Sequence, residues 1–389
     1  VNHHRAICLA RGAPVGTALE VAVHEGEDAF LSLHVDWNEL FERAGQAHQV
    51  FQSFPLLRAW LRCYGGRYDR LVTITVRQDG RLVGALPLAG KSLLGIFRLQ
   101  VMGAPVSQFS DALVDPAARG NVARTLLRAA LNLDADLLEL RRLRADSALR
   151  SADGGGECFI FESLGAPYAC LATRVDGDQP GPAYSARERS NHRRRLRRLR
   201  ERGELTLRSY GPGEPAASLA LKAVELKRLA LQRQRIFAPA VTSPQFARFF
   251  AELASDPDSG LVVSTIEIDG KSVGIDLSLL CKDVGFGHVL ATEKSFEREG
   301  LGTLLIQHVL VVMKDKGAGV FDLLAPSDPY KLRHADGLTE VESRAYPMTT
   351  KGKWASNLVY KLALPAARWT AHRFSAITSS RSAKAGGDH

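Results

Sequence analysis

The chain is poor in cysteine and methionine, thin in aromatic residues and without a long apolar run, and each shortage removes a class of protein. Its cysteines are Cys8, Cys63, Cys158, Cys170 and Cys281. The number is odd and no two stand in C-x-x-C spacing. Neither a disulfide framework nor a zinc site is expected, and a reducing, cytoplasmic setting fits. The longest strongly apolar helical run, Leu301 to Met313, is broken by Gln307 and His308. It falls short of the ~20 residues that cross a bilayer. No signal peptide is expected, because the first thirty residues carry His, Arg and Glu in place of an unbroken apolar stretch. The histidines show no metal-binding spacing, so no metal is expected. What remains, 45% apolar and 24% charged residues over 389 positions, is ordinary globular composition with room for two domains.

The clearest positive signal is an internal repeat. LVTITVRQDGRLVGALPL from Leu71 and LVVSTIEIDGKSVGIDLS from Leu261 align without a gap at an offset of 190 residues, with seven of eighteen positions identical. Each is two β-rich runs around Asp-Gly, a dipeptide suited to the positive φ angles of a tight hairpin turn. Each is followed by a helix-forming run (121–131 and 302–314) and a short strand (137–140 and 320–324). Recurrence of one supersecondary unit predicts two related α/β halves.

Alternation along a strand sends every second side chain to one face. In the second repeat one face carries Gly274, Asp276 and Ser278, while Val273, Ile275, Leu277 and Leu279 occupy the other. The matching face of the first repeat, Gly84, Leu86 and Leu88, is wholly apolar. The second half therefore reads as the working one, and the first as scaffold or as a wall of an acceptor site. Downstream, Gly300 and Gly302 open the apolar helix, where free backbone N–H groups and the helix dipole favour a phosphate or pyrophosphate. Arg298 and Thr303 flank that turn. Beyond the strand from Val320 comes the pair Tyr330-Lys331.

Between the repeats lies a basic helix. Ser185 to Glu188 fits a capping box and Gly203 a stop. Nine arginines and two glutamates between Arg187 and Arg202 supply +7 of the formal net charge of +9, with Leu196 and Leu199 as a narrow docking stripe. An amphipathic helix from Pro215 to Arg235, with Leu219, Leu226 and Leu229 near one face, and a shorter one from Pro244 to Leu253 follow. The domains expected are an extension over 1–24, a first half over 25–175, a second half over 176–365 with the arginine helix at 186–202, and a disordered Ser/Ala/Gly/Lys-rich tail over 366–389.

Asp269-Gly270 with Val273-Gly274, Gly300-Leu301-Gly302-Thr303, Phe321-Asp322-Leu323 and Tyr330-Lys331, in that order, resemble the acyl-CoA-binding core of the GNAT acetyltransferase superfamily. Phe51-Gln52-Ser53 with Trp60, and Leu86-Pro87-Leu88, extend the likeness over most of the chain. Within the superfamily it is similar to the CelD-type branch associated with cellulose and exopolysaccharide synthesis. The resemblance implies two tandem GNAT-like halves, each a mixed, mostly antiparallel sheet flanked by helices. It implies acetyl-CoA as donor substrate and an amine or hydroxyl acceptor, with a sugar or polysaccharide precursor suggested by the branch. The GNAT turn usually reads Gln/Arg-x-x-Gly-x-Gly/Ala; here Glu297 holds the first position and Arg298 follows. The implied donor cradle is Arg298, Glu299, Gly300, Leu301, Gly302 and Thr303. Tyr330 stands where GNAT enzymes often place the acid for the departing thiolate, and a phenol has a pKa near that of a thiol.

Asp276, mid-strand among apolar neighbours, has the raised pKa that suits a base near neutral pH, or else is a structural carboxylate. Lys331 could neutralise a donor phosphate or an acidic acceptor, or sit in water. His288 could face the cleft as a base or be a satisfied strand residue, and Asp322 belongs to its strand's hydrogen bonding. The arginine helix is a solvated face, an anion contact, or a tRNA-binding surface by phosphate neutralisation. That last possibility keeps open a Fem-like aminoacyl transferase, which also pairs GNAT-like halves but takes its acyl group from charged tRNA. A non-catalytic binder of an anionic polymer is the third reading. Few aromatics lie nearby for base stacking, which favours acyl-CoA over nucleic acid as partner.

Overall fold

The computed structural model describes residues 19–363. The tail expected over 366–389 and most of the N-terminal extension lie outside the described residues. The extension's last residues belong to the fold: β1 (Glu20–Glu25) pairs antiparallel with β2 (Arg70–Gln78).

The first half continues with β3 (Arg81–Leu93), β4 (Ile96–Val101), the short β5 (Leu113–Val114), β6 (Leu137–Arg144) and β7 (Phe159–Cys170). A separate ribbon, β8 (Val175–Asp176) with β9 (Gln179–Pro180), leads to the second half. There follow β10 (Leu205–Tyr210), β11 (Leu261–Ile268), β12 (Lys271–Cys281), β13 (Val284–Thr292), β14 (Val320–Asp322) and β15 (Gly337–Pro347). All but the ribbon join one sheet, in the order β1-β2-β3-β4-β6-β15-β7-β14-β13-β12-β11-β10, with β5 set against β3.

The repeat predicted from the sequence is structural. Asp79 and Asp269 both take positive φ, 52° and 49°, and each is followed by a left-handed glycine. The β2–β3 ladder shifts register between Val76 and Arg77, and the β11–β12 ladder between Ile266 and Glu267, again 190 residues on. Each bulge leaves one extra residue, Val83 or Val273, which joins the core cluster under the helix Val122–Leu131 or Leu301–Asp315 respectively. Strict alternation puts Val273 with Ile275, Leu277 and Leu279. The bulge corrects that: Val273 packs with Leu301 and Leu305, while the other three pack on the opposite face. Both halves then run antiparallel, antiparallel, parallel, the parallel pairs being β4–β6 and β13–β14.

The halves are nonetheless not separate bodies. β7 follows β6 in the chain but pairs with β14, as in Asp322 opposite Tyr168. β15 follows β14 but pairs with β6, as in Tyr346 opposite Leu138. The two exchanged strands then pair with each other from Gly337–Tyr168 to Ala345–Phe159. Each half thus gives its last strand to its neighbour, and the boundary at 175/176 is not a boundary in the sheet. Exchange also leaves no unpaired sheet edge at the join.

The helices end close to where the sequence places them. The basic helix runs Ala186–Arg200 with its capping box formed between Ser185 and Glu188. The helix after the glycine turn runs Leu301–Asp315 and its first-half counterpart Val122–Leu131. The long helix is Glu214–Arg233; its fully buried stripe is Ala216, Ala220, Ala223 and Val224, the expected Leu219 and Leu226 pack half-buried against the same core, and Leu229 is exposed. Small side chains let this helix approach the helix Pro244–Ala254 and the sheet closely. One aromatic-rich core joins Phe51, Phe54 and Trp60 of the first half to Phe246, Phe249, Phe250 and Phe286 of the second. No helix among the described residues is long and apolar enough to cross a membrane. Cys63, Cys158, Cys170 and Cys281 are free thiols.

Candidate active site

The parallel pair β13–β14 is only three residues long, closing at Phe286 opposite Asp322. Past that point the strands part. Just past it, β13 carries a register irregularity against β12 between Leu277 and Ser278, which makes His288 an extra residue. Between the parted strands lies a narrow cavity of about 90 Å3 lined by Asp276, Gly287, His288, Tyr330, Lys331 and Lys227, with Gln108 entering from the first half. A groove of about 460 Å3 shares Lys227, Leu290, Ile306 and Tyr330 with it and runs to Gly300, Gly302 and Thr303. Asp276 and the glycine turn therefore line adjoining spaces with these four residues in common.

Asp276 is 3% exposed. Burial pushes its carboxyl up to about 7, offset in part by the Ser278 hydroxyl, which donates to Asp276 Oδ1, and by the Lys227 ammonium. Near neutral pH it can both hold and release a proton. Lys227 Nζ donates to the Leu290 carbonyl at 3.4 Å. Burial lowers the pKa of its ammonium, while Asp328 and Asp276 favour the charge. In the first half the position of Asp276 is Leu86, packed with Val122 and Leu126, so the equivalent space is filled core.

Tyr330 lines both parts of the cleft and is 43% exposed. Desolvation, then the carboxylates of Asp328 and Asp276, push its phenol up to about 12, so it carries its proton at neutral pH. Lys331 reaches the cavity wall, but its ammonium is engaged. It donates to Leu324 O at 2.9 Å and Pro326 O at 3.0 Å, with Asp328 at 3.6 Å. Those bonds make it a brace for the loop that carries Tyr330.

His288 is a bridge between the halves. Its Nε2–H donates to the Val106 carbonyl at 2.6 Å, its ring meets Phe250 edge-on, and burial pushes its pKa down to about 4. Asp322, 2% exposed, is held by Arg144 of the first half at 2.6 Å and by the Leu324 amide at 2.8 Å. It is a structural carboxylate.

The residues of the glycine turn divide. Gly300 is left-handed at φ 77° and caps the helix. The first helical bonds are Thr303 N and Leu304 N to Gly300 O, leaving the amides of Leu301 and Gly302 ahead of the ladder. Gly302 and Thr303 face the groove, and a Cβ on Gly302 would meet nothing within 4 Å. Leu301 is buried in the core under Gly274. Glu299 is tied to Arg202 at 2.7 Å, which pins the end of the basic helix to this turn. Arg298 is exposed and lines no part of the groove, whereas Glu297 does.

The cations at the turn come from elsewhere. Arg195, on the basic helix, lies so close that a Cβ on Gly300 would sit 2.6 Å from its Nε, a close approach that glycine permits. Arg333 lines the groove beside His334. Burial lowers the pKa of Arg195, and its neighbours Arg194 and Arg333 lower it further. Two guanidinium groups that disfavour each other at a helix N-terminus suit a polyanionic group between them. His334 is held by the Tyr184 hydroxyl at 2.6 Å and pushed down to about 4. Arg195, Lys227 and Gln108 escape a reading by local motif. Lys227 had a signal: Lys227, Ala230, Leu231 and Gln234 stand at helical spacing on one face, and two of the four are polar.

Residues 186–332 match the family model for an acetyltransferase (GNAT) domain. The stretch spans the basic helix, the glycine turn and Tyr330-Lys331. No curated protein sequence matches the chain. Among solved structures, FemX is 12% identical with a TM-score of 0.55, over 78% of this chain and 93% of that one. A conserved protein of unknown function from Bacteroides thetaiotaomicron is 10% identical with a TM-score of 0.51, over 80% and 97%. A tandem GNAT protein from the clavulanic acid biosynthesis pathway is 17% identical with a TM-score of 0.48, over 85% and 99%. The match to the GNAT acetyltransferase model thus lies in the second half, and the mixed α/β fold as a whole is similar to that of FemX. Among the described residues no group of His, Cys, Asp and Glu is arranged to hold a metal ion.

Proposed function

We propose that this protein is an acyltransferase that moves an acetyl group from acetyl-CoA to an amine or hydroxyl, with a sugar or polysaccharide precursor as acceptor. The observation that carries the reading is a glycine-turn helix N-terminus and a buried carboxyl with a pKa of about 7 on adjoining spaces that share Lys227 and Tyr330. The free amides of Leu301 and Gly302, with Arg195 and Arg333, suit the pyrophosphate of the donor. Asp276, directly or through a water, takes the proton from the acceptor N–H or O–H as its nitrogen or oxygen bonds to the thioester carbonyl carbon. The carbon–sulfur bond breaks, and Tyr330, protonated at neutral pH, gives its proton to the departing thiolate. The acceptor branch rests on resemblance to CelD-type proteins alone.

The test is release of free CoA thiol from acetyl-CoA in the presence of amino sugars, sugar nucleotides or simple amines. At least one class is expected to raise release well above hydrolysis, and Tyr330→Phe to slow that release. No acceleration by any acceptor would count against the proposal.

One observation favours a second reading. Arg193, Arg194, Arg197 and Arg198 form an exposed cationic face on the same helix that sets Arg195 against Gly300. A nucleic acid carrying the acyl group, as in a Fem-like aminoacyl transferase, would use that face.

A further inference from the structure

Two lysines line the cavity around Asp276, and their ammonium groups are held differently. Lys331 Nζ has the Leu324 and Pro326 carbonyls at 2.9 and 3.0 Å, with Asp328 at 3.6 Å. Lys227 is half-buried on the helix Glu214–Arg233, and among the described residues its hydrogen bond is to the Leu290 carbonyl, at 3.4 Å. That is longer than the usual N–H···O range of about 2.7–3.2 Å, and an ammonium has three N–H groups to satisfy. Burial favours the neutral amine, while Asp328 and Asp276 act on it as charges and favour the ammonium. Leu290 stands directly opposite Asp276 in the β12–β13 ladder. Lys227, Leu290 and Tyr330 line both the cavity and the groove that runs to the glycine turn. A loosely held amine therefore stands where the donor groove meets the base and acid proposed above, and the reaction proposed there makes no use of it.

We infer that Lys227 is a self-acetylation site: when no other acceptor is present, the acetyl group of the bound donor passes to its Nζ. The inference rests on acetyl-CoA occupying the groove, as proposed above. The ammonium first gives one proton to water. The neutral Nζ then bonds to the thioester carbonyl carbon, and Asp276 takes a second proton from the nitrogen. The carbon–sulfur bond breaks, and the Tyr330 hydroxyl gives its proton to the departing thiolate. The products are an acetamide on Lys227 and free CoA thiol, and Asp276 and Tyr330 recover their starting states by exchange with water. The amine needs no diffusional encounter, because the fold holds it beside the reacting groups. The acetamide then takes up part of a cavity of about 90 Å3, so the modified chain is closed to further transfer.

The test is to incubate the full chain with acetyl-CoA carrying a deuterated acetyl group, without acceptor, and to map the label by peptide mass spectrometry. Lys227 is expected to label at least tenfold faster than the exposed Lys271 and Lys316, at a rate that saturates with acetyl-CoA. Tyr330→Phe should slow labelling of Lys227 at least fivefold and leave Lys271 and Lys316 unchanged, which separates transfer within the site from reaction in solution. Lys227→Arg keeps the charge and should reduce incorporation to that of the exposed lysines. Calorimetry on the same protein reports donor binding separately. Acetyl-CoA bound, with Lys227 labelled no faster than Lys271 and Lys316 or labelled equally fast in Tyr330→Phe, would overturn the inference and leave the donor reading standing. No acetyl-CoA bound would remove both.

Discussion

Asp276 is the base in the proposed chemistry, because a strand interior that should reject a charge holds a carboxyl. Its pKa is about 7 in the fold against an ordinary 3.8. A raised folded pKa means that protonation stabilises the native state. That contribution is full below about pH 3.8 and is lost as pH rises through about 7. Urea unfolding of the parent should therefore show stability declining over that window, and Asp276→Asn should lack this decline. Activity should move the other way, since the base must be ionised: kcat/KM is expected to rise through pH 7 and to drop ~10²- to 10⁴-fold in Asp276→Asn. A variant with full rate would remove Asp276 from the chemistry. Lys331 makes the opposite case. Its two carbonyl bonds predict that Lys331→Met loses about 1–3 kcal/mol of stability, read by the same unfolding curves. Unchanged stability with lost activity would return it to the chemistry.

At the scale of elements, the basic helix has two faces with separable work. Arg195 points to Gly300 while Arg193, Arg194, Arg197 and Arg198 point outward. Arg195→Gln is expected to weaken acetyl-CoA binding about tenfold, the loss of one charge-assisted contact. Glutamine at the four outward positions should leave that affinity within a factor of two. If tRNA were the partner, the fourfold variant would instead weaken tRNA binding and flatten its dependence on salt. Isotherms at several salt concentrations, with both ligands, distinguish the cases. This helix was legible in the sequence down to its capping box, because Ser185 and Glu188 act within one turn. The role of Arg195 was not, since contact with Gly300 depends on how two helices cross. The same limit explains why Arg298 read as a phosphate contact: sequence proximity to the turn does not fix on which side a side chain leaves it.

Across the whole molecule, the repeat at an offset of 190 residues was legible down to Asp79-Gly80 and Asp269-Gly270, since hairpins are set by local turn chemistry. The exchange of β7 and β15 was not, because pairing between strands about 150 (β7–β14) and about 200 (β6–β15) residues apart leaves no mark on either strand's own pattern. That exchange, with the core shared by Phe51 and Phe286 and the Val106–His288 bond, makes the first half part of the cleft's wall rather than a detached scaffold. In the proposed function the groove at the glycine turn binds acetyl-CoA. Gly302→Glu tests it most directly, because a Cβ there meets nothing within 4 Å and the added carboxylate enters the groove without disturbing the core. Titration calorimetry should show saturable acetyl-CoA binding by the parent and at least a tenfold loss in the variant. Equal affinities, no binding by the parent, or tight binding of aminoacylated tRNA with none of acetyl-CoA would contradict it.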